Sequence, residues 1–189
     1  MFSSFESIST VEVLCASDIS PVLDETIREG LVECYPEDRE HFSRQRSWHS
    51  SPDWIVVART ATGTVAAHLA IVERRITVGD NAVPVTVAGI QGVFVRPPWR
   101  KTGLIDRIME AALDESHSRG LDAGLLFCLP VLAEKVYRRL GWLPLETTVF
   151  MTNHDDRRAP IPGKNITMTI PLCLASFPFG SIDLCGQDW

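Results

Sequence analysis

Val93-Phe94-Val95-Arg96-Pro97-Pro98-Trp99-Arg100-Lys101-Thr102-Gly103-Leu104-Ile105 is an apolar strand that runs into a basic, proline-rich turn and then directly into an amphipathic helix. The first amides of a helix lack intrahelical partners and lie at the positive end of the backbone dipole, so a basic turn at a helix start suits an anion. Arg100, Lys101 and Gly103 surround that start. The cations offset negative charge, and glycine lets a ligand approach the backbone. The same cations would also serve to solvate a loop; Asp106 sets a like charge near any bound phosphate, and a single glycine is not a glycine-rich loop. The turn poses the question of which phosphorylated molecule it would hold.

Outward from the turn, Leu104, Ile105, Ile108, Met109, Ala112 and Leu113 recur at helical spacing, and Arg119-Gly120 supplies a basic last turn with a closing glycine. Ala123–Cys128 is a short, almost continuous apolar run, which predicts a strand covered on both faces and parallel to its predecessor. Pro130 fits the first turn of a further helix with Leu132, Val136 and Leu140 on one stripe and Gly141 at its end. On the other side of the turn, runs at 54–59, 65–78 and 83–95 are separated by Ala61-Thr62-Gly63 and Gly79-Asp80-Asn81, which predicts an antiparallel meander. Residues 11–15 read as a strand, Ser17 or Asp18 as the cap of a helix reaching Cys34, and 37–51 as a short helix and loop. Strands at 145–152 and 165–172 complete the order β, α, α, three strands, α, β, α, two strands. That order implies a mixed sheet with helices on both sides, in the α+β class.

Composition narrows the function classes. The 189 residues suit a single domain over 1–189, since domains run to roughly 50–250 residues. Hydrophobic residues make up 45% and charged residues 22%, as in folded globular proteins. No run approaches the ~18 apolar residues of a membrane helix, and Met1-Phe2-Ser3-Ser4-Phe5-Glu6 lacks the basic and apolar regions of an export signal. A cytoplasmic protein without a membrane partner is expected. A net charge of −6 argues against nucleic acid and suits a cationic substrate. Cys15, Cys34, Cys128, Cys173 and Cys185 contain no Cys-x-x-Cys pair, which reads as free thiols and no metal site.

A second constellation is Tyr137-Arg138-Arg139-Leu140-Gly141-Trp142, at the end of the later helix. A tyrosine hydroxyl is neutral at neutral pH and can protonate a departing thiolate; it can equally be a core phenol with its hydroxyl satisfied. The combination of strand, phosphate turn, helix, strand and a helix ending in Tyr-x-x-x-Gly-aromatic resembles the GCN5-related N-acetyltransferase (GNAT) superfamily. Arg100-x-x-Gly103 is similar to the start of its Arg/Gln-x-x-Gly-x-Gly/Ala pyrophosphate motif, with Ile105 where Gly or Ala is usual.

The resemblance implies the GNAT fold, with a mixed, mostly antiparallel sheet of about seven strands and about four helices. It implies acetyl-CoA or another acyl-CoA as co-substrate and no metal. Arg100 and Lys101, with the amides of Thr102, Gly103, Leu104 and Ile105, would hold the pyrophosphate; Val93, Phe94 and Val95 would line the pantetheine. The Val93 amide would polarise the thioester carbonyl, and Tyr137 would be the general acid. No covalent enzyme intermediate is needed. A homodimer is a further family expectation.

Ala67-His68, Arg74-Arg75, Gly92 to Val95, Arg100, Arg139-x-Gly141-Trp142-Leu143-Pro144 and Trp189 resemble the aminoglycoside 2′-N-acetyltransferases. Arg46-Ser47-Trp48, Ala66-Ala67-His68 and Phe179-Gly180-Ser181-Ile182-Asp183 resemble the nodulation protein A acyltransferases. Both modify amino groups on sugars, which implies a small amine acceptor of the amino-sugar or aminoglycoside class, with longer-chain acyl transfer or a non-catalytic acyl-CoA-binding module as alternatives. Gln91 stands where the aminoglycoside relatives carry a glutamate; it would hold a water or the acceptor but cannot take a proton. His68, Glu73, Asp183 and Asp188 are the candidate replacements for that base, and Gln91, Asp188, Trp189 and His68 are expected to face the acceptor. Trp189 is expected to be ordered rather than frayed, packing in the acceptor cleft and setting the chain's own carboxylate near the amine.

Overall fold

The computed structural model describes residues 6–153, 155–161 and 165–189. Residues 1–5, which carry most of the start read above for an export signal, lie outside them. The elements are β1 (Ile8–Cys15), α1 (Pro21–Cys34), α2 (Arg39–Arg44), β2 (Trp54–Thr60), β3 (Val65–Val78), β4 (Val83–Val95), α3 (Leu104–Ser118), β5 (Ala123–Cys128), α4 (Pro130–Leu132), β6 (Leu143–Leu145), β7 (Val149–Thr152), β8 (Arg158–Pro160), β9 (Ile166–Pro171) and β10 (Ile182–Asp183). They form two compact units.

The first unit comprises Met1–Trp48, Pro52–Ile71 and Gly92–Glu115. In it β1 pairs antiparallel with β2, from Ile8↔Thr60 to Cys15↔Trp54. β2 pairs antiparallel with the first half of β3, from Trp54↔Ile71 to Arg59↔Val65. Trp54 to Ala58 are all buried, so β2 reads as a near-continuous apolar run rather than an alternating one. The helix expected from Ser17 or Asp18 starts later. Ser20 accepts a hydrogen bond from the Leu23 amide and Pro21 occupies the first helical position, a stronger start signal than either earlier residue. Ala16–Asp18 instead forms a separate 3-10 turn.

α1 buries Ile27, Gly30 and Leu31. Gly30 takes the ring of Phe94 so closely that a Cβ there would lie 2.3 Å from Phe94 Cζ. α2 contributes buried Phe42, whose ring meets Tyr35 at 5.4 Å and Trp48 at 4.6 Å. Leu104, Ile108, Met109 and Ala112 are buried along the apolar stripe of α3.

The second unit comprises His49–Ser51, Val72–Gln91 and Ser116–Trp189. The second half of β3 pairs antiparallel with β10, which runs parallel to β7; β7 pairs antiparallel with β8. β4 pairs in parallel with β5 from Val87↔Ala123 to Ile90↔Leu126, as the apolar run Ala123–Cys128 predicts. β9 lies antiparallel to both β5 and β6. The sheet is therefore mixed and the class α+β. Ten strands occur among the described residues, more than the expected number of about seven. The single strand expected over 145–152 is two strands with different partners, because β6 is an edge strand, where Pro144 is tolerated, while β7 joins β8 and β10.

After β5 the chain makes one α turn (α4), a π segment over Ala133–Tyr137 and a 3-10 turn over Arg138–Leu140. Gly141 ends the stretch at φ 88°, and the Trp142 amide donates back to the Tyr137 carbonyl at 3.1 Å. The Trp142 side chain is then buried over Gly124, where a Cβ would lie 2.8 Å from Trp142 Cη2. Gly30→Val should displace Phe94 and lower stability by about 1–3 kcal/mol, the usual overpacking cost. Urea unfolding followed by circular dichroism measures the loss.

Candidate functional site

In the first unit the functional candidates sit where β4 ends and α3 begins. Gly92 has φ +57°, the left-handed region that disfavours side chains. The partner of His68 Nδ1 is the Gly92 carbonyl at 2.9 Å, so Nδ1 carries the proton and donates. Tyr35 Oη donates to the next carbonyl, that of Val93, at 2.6 Å. A peptide unit is planar with its C=O and N–H opposed, so His68 orients the plane that carries the Val93 amide, and Tyr35 the plane that carries the Phe94 amide.

His68 is fully buried and stacks on Phe94 at 5.5 Å between centroids. Burial, reinforced by the Arg46 charge, brings its pKa down to about 4, against the opposing pull of the Gly92 carbonyl. It is neutral at physiological pH and presents no surface to a ligand. Burial likewise holds the Tyr35 phenol well above its ordinary range, so it stays a donor.

The turn itself is exposed from Arg100 to Gly103, with Leu104 buried and Ile105 partly so. Lys101 at φ 65° and Gly103 at φ 77° are both left-handed, and they precede the first residue of α3. Arg100 Nε donates to the Val95 carbonyl at 3.0 Å and its Nη2 reaches Cys34 Sγ at 3.8 Å. Thr102 Oγ1 donates to the Trp99 carbonyl at 2.7 Å. A Cβ on Gly103 would meet only Asp106 Oδ2, at 3.8 Å, so the space above the helix start is open. Beside it lies a cavity of about 320 Å³ whose walls include Trp99, Thr102, Leu104 and Arg107. Two exposed cations, left-handed backbone and open space at a helix start fit a diphosphate.

In the second unit Tyr137 ends the π segment, buried, with its ring 6.2 Å from that of Trp142 in an edge-on arrangement. Gln91 is also buried, and its Nε2 donates to the Ser50 carbonyl at 2.8 Å. Ser50 Oγ lies 3.1 Å from the Gln187 carbonyl and 2.8 Å from that of Asp188. Arg74 donates to Ser50 Oγ at 2.8 Å and to the Gln187 carbonyl. The Arg74 guanidinium also lies over the Trp189 ring at 5.2 Å.

Trp189 is ordered and buried, as its aromatic character leads one to expect, against Gly89, where a Cβ would come 2.3 Å from Trp189 Cε2. Its ring belongs to the apolar core with Val87, Leu125 and Leu184 rather than to an open cleft. The Asp188 carboxylate accepts from His49 Nδ1 at 2.5 Å.

Of the other candidate bases, Glu73 pairs with Arg119 at 3.1 Å and Asp183 with Arg158 at 2.5 Å. Cys34 and Cys128 are thiols, not thiolates: burial raises both, Cys128 to about 11, and outweighs Arg100 at Cys34. No group of three or more His, Cys, Asp or Glu residues placed to share a metal occurs among the described residues.

Tyr35, His49, Ser50 and the contacts of Arg74 were not assigned from the sequence. Their partners lie 58, 139, 138 and 113 residues away, and no local period marks them.

Because unfolded histidine protonates near 6.5 and folded His68 only near 4, stability should be complete above about pH 6.5 and fall as pH drops towards 4. The loss amounts to up to ~3 kcal/mol. His68→Gln should lack this slope when urea unfolding is followed across the range.

The acetyltransferase (GNAT) domain family matches residues 25–145. An aminoglycoside 2′-N-acetyltransferase of Mycolicibacterium fortuitum is 27% identical over 137 residues, which is 72% of this chain. The match spans 66% of that relative's length, just under two thirds. A GNAT-family N-acetyltransferase from Escherichia coli, solved in complex with CoA, superposes with a TM-score of 0.62 at 17% identity, covering 98% of this chain and 94% of its own. An acyl-CoA N-acyltransferase from Pseudomonas aeruginosa gives 0.58 at 16% identity over 86% of this chain and 99% of its own. The ribosomal-protein-S18-alanine N-acetyltransferase from Escherichia coli gives 0.55 at 16% identity, covering 88% and 97%. These structures share the fold.

Proposed function

The chain belongs to the GNAT acetyltransferase family, and from that premise we propose that it transfers an acetyl group from acetyl-CoA to a primary amine on an amino sugar or aminoglycoside-like acceptor. The observation that carries the donor is the start of α3, where exposed Arg100 and Lys101 flank a left-handed, open backbone. There Arg100, Lys101 and the amides of Thr102 to Ile105 would hold the pyrophosphate. The partly buried Ile105 leaves those amides as donors, although its branched side chain narrows the approach relative to Gly or Ala.

Val93 to Val95 would line the pantetheine, and the Val93 amide, oriented through His68 and the Gly92 carbonyl, would donate to the thioester oxygen as it gains charge. His68 thus serves the donor from within the core, and the acceptor is left to other groups. The amine nitrogen forms the C–N bond directly, the C–S bond breaks, and Tyr137 protonates the thiolate. Neutral, partly or wholly buried thiols at Cys34 and Cys128 agree with a route that has no acyl-cysteine. Similarity to an aminoglycoside 2′-N-acetyltransferase and the carboxylate of Asp188 support a cationic amino-sugar acceptor.

Purified protein mixed with acetyl-CoA and a panel of aminoglycosides and simple amino sugars should release free thiol on at least one of them. Coenzyme binding without release on any amine would leave a binding module and overturn the reading. Tyr137→Phe should lower kcat about 10²-fold with the KM for acetyl-CoA little changed; an untouched rate removes the acid assignment. Gly103→Val forces a branched side chain to φ +77°, a strain of ~1–2 kcal/mol that should raise the KM for acetyl-CoA roughly tenfold. An unaltered KM would rule out the cradle.

A further inference from the structure

We propose that Arg100 sets the choice of acyl carrier: it covers the strand edge that pantetheine would use and leaves that edge for a diphosphate, an inference that rests on the acyl-CoA reading above. Every residue involved lies in the first unit. In an extended strand the N–H and C=O of one residue point to the same side, and residues two apart share a side. The Arg96 amide donates to the Ala66 carbonyl and the Gly92 carbonyl accepts from His68, both on β3. Even-numbered positions of this stretch therefore face β3, and Val93 and Val95 face away from it.

Side chains meet the two carbonyls on that side. Tyr35 donates to Val93 at 2.6 Å. Arg100 Nε donates to Val95 at 3.0 Å, and Cys34 Sγ approaches the same oxygen at 3.8 Å. The two caps differ in how firmly they are held. Tyr35 packs against the rings of Phe42 and Trp48, whereas Arg100 is exposed. Its Nη2 contacts Cys34 Sγ at 3.8 Å, a weak acceptor that burial keeps as an uncharged thiol. The guanidinium thus rests on neutral acceptors beside the open start of α3.

A guanidinium bonds a phosphate more strongly than a neutral carbonyl, by roughly a factor of two. A carrier with a diphosphate therefore draws Arg100 off Val95, and the freed carbonyl accepts an amide N–H of the pantetheine. A bare pantetheine thioester must displace the same arginine and offers it nothing in return. The internal contact acts against the wrong carrier, so selectivity comes from competition as well as from attraction. Lys101, the neighbouring cation, makes no hydrogen bond to β4 among the described residues and would attract the diphosphate without this effect.

The test needs no acceptor: the full chain is titrated with CoA by calorimetry and with pantetheine by ligand-observed NMR. Arg100→Ala should weaken CoA about tenfold and strengthen pantetheine about fivefold. Lys101→Ala should weaken CoA and leave pantetheine as in the wild type. Arg100→Met, which keeps the apolar stem, repeats the comparison if the alanine variant melts at a lower temperature. Arg100 variants that weaken CoA yet bind pantetheine no better than the wild type overturn the selection and leave the coenzyme reading standing, as does an equal gain for pantetheine in Lys101→Ala. Wild-type protein that fails to bind CoA overturns the coenzyme reading and the selection together.

Discussion

One buried hydrogen bond, from His68 Nδ1 to the carbonyl of Gly92, underlies the organisation of the first unit. It couples β3 to a point on β4 where the backbone turns left-handed, and the glycine is required there because a side chain would be strained. Phe94, two residues on, fills the space above Gly30 of α1 and stacks on the same imidazole. Core packing and peptide orientation are therefore one arrangement. Burial disfavours the charged form of this imidazole, so it is neutral with its single proton on Nδ1, shared with the Gly92 carbonyl.

The second unit uses the opposite material. Polar groups, not apolar ones, hold the segment His49–Ser51: a serine hydroxyl, two main-chain carbonyls, the Gln91 amide and the Arg74 guanidinium. Such networks specify geometry because each member left unpaired costs free energy once buried. The Trp189 ring rests on Gly89 and against Phe127, with the Arg74 guanidinium over it.

What could be read from the sequence divides along the same line. The bounds of β3, β4 and β5 follow from apolar runs and turn residues, and the start of the helical stretch at Pro130 and its end at Gly141 from punctuation. The turn at Arg100 to Gly103 is local and so was legible. The shortest strands were not: β6, β8 and β10 are two or three residues long and exist through their partners. His49 falls in a stretch without period, and the acid it meets is 139 residues away. Tyr35 directly follows the helix expected to reach Cys34, and nothing local marks that its hydroxyl reaches across to β4.

The π segment over Ala133–Tyr137 has a consequence for comparing this chain with others. A π turn holds one residue more than an α turn, so everything after it is rotated about the helix axis relative to an uninterrupted α-helix. The direction in which Tyr137 projects is thus a matter of residue count between Pro130 and Gly141 as much as of residue type. A relative with one residue fewer there would align its tyrosine in sequence and yet present a different side chain at that spot.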